Sequence, residues 1–252
     1  MGRECNLYKI DKEVPIPMYY QIKQSILSAI QEEKLKGGDA LPTELEFCEN
    51  CNVSRPTIRQ ALSELVTEGY LYRLKGKGTF VAQPKIEARF LNKLQSFSQE
   101  MIQKELTPST RVMSFRIIEG NGQINKKLNL DPHEKLLYLE RLRYTNGEPI
   151  IYLETYIPYR LFSEFLTRDL ENNSLYTLME ELNNLRVDRV QREIEAVNAT
   201  TNVAKLLEIS KGKAVCLVTT VAYANKEESI PVEYSVARYR GDRNKFSVEL
   251  YR

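Results

Sequence analysis

Residues 42–81 constrain the fold of this chain more than any other stretch, because three kinds of local punctuation follow one another there in a fixed order. Pro42-Thr43-Glu44-Leu45-Glu46 offers Thr43 as an N-cap with a glutamate three residues later, a capping box that opens a short helix running to about Asn50. Asn52 can then turn the chain. Ser54 is placed to cap a further helix, Pro56 is tolerated in its first turn where no intrahelical N–H is needed, and Ile58, Leu62 and Leu65 form a buried stripe that Gly69 ends. Residues 70–74, the basic Lys75-Gly76-Lys77-Gly78 and Thr79-Phe80-Val81 read as a two-stranded hairpin with a glycine-rich tip. Upstream, Tyr19, Ile22, Ile26, Leu27 and Ile30 recur at helical spacing, with Gly37-Gly38 as the stop. Three helices and a hairpin predict a winged helix-turn-helix.

In such a unit the start of the second helix of the motif points at base edges, and here that segment is Ser54-Arg55-Pro56-Thr57-Ile58-Arg59. Arg55 and Arg59 are four apart and share a helical face, Thr57 is short enough to let the backbone approach, and an arginine can give two hydrogen bonds to guanine. The net charge of the whole chain is only +2, yet between residues 55 and 85 the bases Arg55, Arg59, Arg73, Lys75, Lys77 and Lys85 outnumber the acids Glu64 and Glu68. Such a local excess suits a phosphate backbone, and on charge alone it suits a solvated face equally well.

At 252 residues the chain exceeds one ordinary domain. Residues 83–90, with Pro84 and a charged run from Lys85 to Arg89, show no clear period and separate a DNA-binding domain over 1–82 from a larger domain over 91–252. In the larger part, 111–118, 136–144, 149–157, 186–199, 214–224, 231–239 and 246–251 are rich in branched and aromatic residues and read as strands, with Asn146-Gly147 as a hairpin turn. Helical patterns occupy 96–103, 124–128, 161–166, 175–182 and 203–207. The fold class is α+β, an antiparallel sheet with flanking helices, because strands and helices do not alternate as they do in a parallel doubly wound sheet.

Enzyme chemistry lacks its usual parts in this half. There is one histidine, His133, no Gly-x-Ser-x-Gly elbow and no glycine-rich phosphate loop, while Cys48-Glu49-Asn50-Cys51 is only half of a metal motif. No catalytic residue, metal or cofactor is expected. No stretch approaches the roughly 18 apolar residues of a membrane span, and Met1-Gly2-Arg3-Glu4-Cys5 begins no leader pattern, so a cytosolic protein away from membranes is expected. Binding remains. Arg141 and Arg143 share one face of a strand, and Arg189 and a helix start at Ser96-Phe97-Ser98-Gln99 add donors that suit an anion. From spacing alone, paired arginines on a strand more often face solvent.

The segments PIPMYYQIKQSI, LPTELEFCENCNVSRPTIRQALSELVTEGYLYRLKGKGTFV and YRGDRNKF resemble the GntR family of bacterial regulators across essentially the whole chain. The C-terminal part is similar to the HutC subfamily, whose UTRA effector domain resembles chorismate lyase in fold. The resemblance implies a homodimer on palindromic, double-stranded operator DNA. It puts Arg55, Thr57 and Arg59 among the recognition-helix contacts and Gly76, Lys77 and Gly78 at the wing tip. Thr43 and Ser54 lie near the same face, where Thr43 can be a cap or a contact. Leu45 stands where the family usually has arginine, which removes a base or phosphate contact and prevents the operator sequence from being carried over.

By the same resemblance Ser96, Phe97, Ser98, Arg141, Arg143 and Ser174 would hold a phosphate, Arg189, Glu233 and Tyr239 would meet sugar hydroxyls or an amine, and Glu154 would assist. Surface positions for Glu154 and Glu233 and simple packing for Tyr239 remain open. The implied effector is N-acetylglucosamine 6-phosphate or glucosamine 6-phosphate, which would release a repressor from sugar-uptake or catabolic genes by preferring a conformation that misfits the operator. The alternatives are another phosphosugar, a urocanate-like molecule or a fatty acid, of which the arginines disfavour the apolar one. A chorismate lyase-like activity would rest on fold alone, which does not transmit function.

Overall fold

The computed structural model describes residues 10–74, 76–88 and 94–250, and the chain divides into two units, one ending at Pro84 and the other beginning at Lys85. Cys5, Lys75, the linker positions 89–90 and Tyr251 lie outside the described residues.

In the first unit, Ile22, Ile26 and Ala29 repeat at helical spacing and turn α1 (Met18–Gln31) toward a core shared with α2 (Glu44–Cys51) and α3 (Arg55–Thr67). Phe47 from α2 and Ile58, Leu62 and Leu65 from α3 fill that core, and β1 (Leu71–Leu74) pairs antiparallel with β2 (Gly78–Val81) beside it. The stop of α1 differs from the expected one. The helix ends at Gln31 and the chain turns at Glu33, with φ 56°, so Gly37-Gly38 instead lies against the wing, where the Gly38 N–H donates to Val81 at 2.9 Å. The Thr43 capping box and the left-handed turn at Asn52, φ 49°, follow the sequence. Ser54 takes the N-cap position of α3 without a side-chain cap, its hydroxyl lying 2.8 Å from that of Thr57 instead.

The second unit is built on a six-stranded sheet, antiparallel throughout, with strands of alternating character long enough to cross it. These are β4 (Pro108–Ile118), β5 (Leu136–Thr145), β6 (Glu148–Pro158), β7 (Val187–Asn198), β8 (Ala214–Ala224) and β9 (Ile230–Arg240), in the order β4-β5-β6-β9-β8-β7. Asn146 and Gly147 both take positive φ and close the β5–β6 hairpin. One end of one face is covered by α6 (Tyr159–Phe162), the 3-10 turn Ser163–Thr167 and α7 (Leu175–Asn183), whose Phe162, Phe165, Leu178 and Met179 pack on Leu137, Leu139 and Ala222. On the opposite face α8 (Thr201–Leu206) buries Leu142, Tyr152 and Val215. Two further helices are α4 (Phe97–Ile102) and α5 (Gly122–Lys127).

Two sequence expectations are corrected here. Part of the segment expected as a linker, Ile86–Ala88, is β3, which pairs in parallel with β10 (Asn244–Phe246). Three residues are too few to display a period, yet Ile86 and Ala88 are buried while Glu87 between them is less so. The strand expected over 246–251 is β10, and it ends where it should have begun, with Val248 and Leu250 exposed beyond it.

Candidate functional site

Strand register brings the pocket residues together. Arg143, Ile151 and Tyr239 lie side by side across β5, β6 and β9, Arg141, Leu153 and Ala237 form the next row, and Thr155, Ser235, Thr220 and Arg192 the row beyond. Because side chains alternate along a strand, these rows share one face, and together with the start of α4 and the start of α7 they line one open cleft.

Its electrostatics are unusual. Arg141 is only 2% exposed, its closest polar contact is Thr155 Oγ1 at 3.5 Å, and the Nε atoms of Arg141 and Arg143 have no hydrogen-bond partner. Burial first, then the charge of Arg143, pushes the Arg141 guanidinium down to about 9, with Glu233 and Tyr176 pulling the other way, so it stays a cation at neutral pH. Burial lowers Arg143 as well, and its guanidinium lies 5.0 Å above the Phe97 ring. Glu233 is 4% exposed with Oε2 unpartnered. Burial, then the charge of Glu233 and a hydrogen bond to it, holds the Tyr176 phenol well above its usual range, and burial takes Tyr239 up to about 12. Of the other acids in the wall, Glu100 is matched by Lys104 at 2.6 Å, and Glu171 accepts the Val112 N–H at 2.7 Å. Glu233 is left to face two buried guanidinium groups, and buried cations of this kind cost several kcal/mol unless an anion offsets them. An anion in the cleft would offset that cost.

Of the residues singled out in the sequence, Ser96, Phe97, Ser98, Arg141, Arg143, Ser174, Glu233 and Tyr239 all line this cleft. Ser96 caps α4 reciprocally with Gln99. That helix has only six residues, too few for a substantial dipole, so the positive charge of the cleft comes from its arginines. Glu154 and Arg189 are corrections, since neither lines the cleft. Glu154 lies on the opposite face, where it accepts from Arg238 at 2.7 Å and from the Tyr138 hydroxyl at 3.0 Å. Arg189 is paired with Tyr223 in the register and its guanidinium sits 3.6 Å over that ring. Sequence reasoning missed Arg192, Tyr176 and Glu100, each of which lines the cleft. Arg192 is one of two arginines three apart in β7, and choosing between them needs the register.

On the first unit, Arg55 is exposed at the start of α3. Arg59 is exposed too, but bonds Glu44 at 3.2 Å, and that hydrogen bond followed by the charge raises its guanidinium further. Arg73 bonds the Ser63 hydroxyl at 3.2 Å. The Thr43 hydroxyl is engaged on both sides by Glu46, accepting its N–H at 3.3 Å and donating to its carboxylate at 2.9 Å. Gly76 and Gly78, at φ 75° and 119°, hold Lys77 at an exposed tip that side chains with a Cβ would adopt only under strain. Leu45 is 55% exposed on α2. Among the described residues no group of three or more histidine, cysteine or acidic side chains is placed to hold a metal, and no helix is long and apolar enough to cross a membrane.

A winged helix-turn-helix joined to a ligand-pocket domain defines a ligand-responsive, DNA-binding transcriptional regulator. The family models agree: that of the bacterial regulatory proteins of the gntR family matches residues 18–81, and that of the UTRA domain matches residues 103–245. The chain belongs to the gntR family and carries a UTRA domain. It is 36% identical over 237 residues to the HTH-type transcriptional repressor NagR of Bacillus subtilis, covering 94% of this chain and 96% of that one. It is 31% identical to the mannosyl-D-glycerate transport/metabolism system repressor MngR of Escherichia coli, covering 92% and 95% of the two chains. The crystal structure of PhnF from Mycobacterium smegmatis matches with a TM-score of 0.64 and 25% identity over 91% of this chain and 98% of that one.

Proposed function

We propose that this chain is a cytosolic homodimeric repressor of amino-sugar uptake or catabolic genes, released from operator DNA when glucosamine 6-phosphate or N-acetylglucosamine 6-phosphate fills the cleft. The observation that carries the reading is the pair Arg141 and Arg143, buried on one strand face with unpartnered Nε atoms, with Glu233 the carboxylate among the described residues whose charge acts on both. A phosphate monoester supplies the missing charge, and its oxygens match guanidinium forks. Glu233 and Tyr176, which line the same cleft, are then the polar partners for an amine or hydroxyls. The similarity to two sugar-system and HTH-type repressors over nearly their whole length supports the repressor role. In the DNA-binding unit Arg55, Thr57 and Arg59 read base edges, with Arg59 exchanging Glu44 for DNA, and Lys77 enters the minor groove between Gly76 and Gly78.

Calorimetric titration of the full chain tests the effector. Both phosphosugars should bind, and glucosamine and N-acetylglucosamine should bind at least about a hundredfold more weakly, the worth of two charge-assisted contacts. Equal affinity for the sugar and its phosphate would sink the proposal.

A further inference from the structure

The strand β3 begins two residues after the first unit ends, so whatever holds Ile86–Ala88 sets where the chain leaves the effector domain. Hydrogen bonds of three kinds hold it, beside the apolar packing of Ile86 and Ala88. The Ile86 N–H donates to Arg243 at 2.7 Å within the parallel pairing with β10, and Lys85 Nζ donates to the Gly241 carbonyl at 2.8 Å. The third is Lys104. Its ammonium donates both to the Glu87 carbonyl, in the middle of β3, and to the Glu100 carboxylate on α4 at 2.6 Å. Glu100 is 5% exposed and lines the effector cleft, as do Ala88 at the end of β3 and Ser96 to Ser98 at the start of α4. One ammonium thus joins a wall of the ligand cleft to the backbone that leads to the DNA-binding unit.

We propose that Lys104 is the positioning residue that passes effector occupancy to the interdomain segment. The inference rests on the reading of the cleft as the effector site. A helix of six residues such as α4 is marginal without tertiary support, so a ligand seated against its first turn and against Glu100 orders it. Ordering α4 fixes Lys104, and Lys104 fixes Glu87. The effector thereby selects the state with β3 clamped, which is the differential affinity that a ligand-driven shift requires. Ile86 and Ala88 also pack in one apolar cluster with Phe97 and Met101 of α4, and Lys104 adds to that packing a directional link from the Glu100 carboxylate to the Glu87 carbonyl.

The test uses the full chain as wild type, Lys104→Met, which keeps the apolar stem, and Lys104→Arg, which keeps a charged donor. Each is titrated with glucosamine 6-phosphate by calorimetry, and amide hydrogen exchange of residues 85–88 is followed with and without it. The ligand should slow that exchange about fivefold or more in the wild type. At ligand concentrations that saturate each protein, as its own calorimetry defines them, Lys104→Met should lose the slowing and Lys104→Arg should recover part of it. Wild-type slowing in Lys104→Met overturns the inference alone. A wild type that binds no phosphosugar overturns the effector reading and this inference with it. If Lys104→Met does not fold, Lys104→Gln carries the same comparison.

Discussion

At the scale of the residue, the cleft is defined by two guanidinium groups whose charge is penalised by burial. Arg141→Ala should lower phosphosugar affinity by about ten- to a hundredfold, the worth of a charge-assisted contact, with operator affinity in the absence of ligand unchanged. Parallel calorimetry and gel-shift titration check both halves, and undiminished phosphosugar binding would remove Arg141 from the site. Thr43 is a second decisive residue, for stability. Its hydroxyl and N–H hold the Glu46 carboxylate below the usual range, the backbone hydrogen bond contributing most. A carboxylate whose folded value is depressed stabilises the fold above its unfolded value and loses that contribution as pH falls through the folded one. Thr43→Ala should therefore cost about 0.5–2 kcal/mol at neutral pH in chemical denaturation, with the difference narrowing in acid. Unchanged stability together with lost DNA binding would instead make Thr43 a DNA contact.

At the scale of the element, the segment YRGDRNKF proves to be a corner. Arg240 is buried, bonds Asp242 through two hydrogen bonds of 3.0 and 2.8 Å, and reaches the Pro149 carbonyl at 3.2 Å. A Cβ on Gly241 would lie 2.8 Å from the Ala214 carbonyl, so only glycine lets the chain pass from β9 toward β10. Burial alone would raise the Asp242 carboxyl, but the hydrogen bonds and charge of Arg240 outweigh it and hold the group below its ordinary range. Its stabilisation is thus present at neutral pH and lost as pH falls through that lowered value. Arg240→Met should cost roughly 2–3 kcal/mol and flatten the acid limb of the stability profile, as thermal denaturation across pH would show. An acid limb identical to wild type would contradict the role given to this pair.

The same scale explains what could be read from the sequence. Alternation and turn chemistry placed the β5–β6 hairpin and the long strands, because those signals are local. The faces of Glu154 and Arg189 were not legible, because each depends on the register of its strand with a neighbour, which local pattern does not carry. Beside the hairpin Tyr144 faces Pro149 but Arg143 faces Ile151, and this bulge turns Glu154 away from Arg141, with which it would otherwise share a face. In β7 the register with β8 is unbroken from Arg189 to Asn198, so Arg189 and Arg192, three apart, face opposite sides, and it is the pairing of Arg192 with Thr220 that puts Arg192 in the cleft. Glu233 and Tyr239 needed only their parity within β9, and both line the cleft. The strand β3 was missed because three residues carry no period.

At the scale of the whole molecule, recognition and sensing are divided between two units that share one covalent path. Arg55→Ala should cost about 1–3 kcal/mol of operator discrimination while leaving the fold intact, and Lys77→Ala should weaken binding to many sequences and reduce its salt dependence. Equal operator affinity in Arg55→Ala, or an unchanged salt slope in Lys77→Ala, would remove the respective contact. The most direct test of the central claim is release of the full chain from the promoter of its own gene, followed by fluorescence anisotropy during titration with glucosamine 6-phosphate, N-acetylglucosamine 6-phosphate and the two free sugars. Release by the phosphosugars alone, abolished in Arg141→Ala, is the predicted result; release by the free sugars at the same concentrations, or by phosphosugars from Arg141→Ala as readily as from wild type, would contradict it.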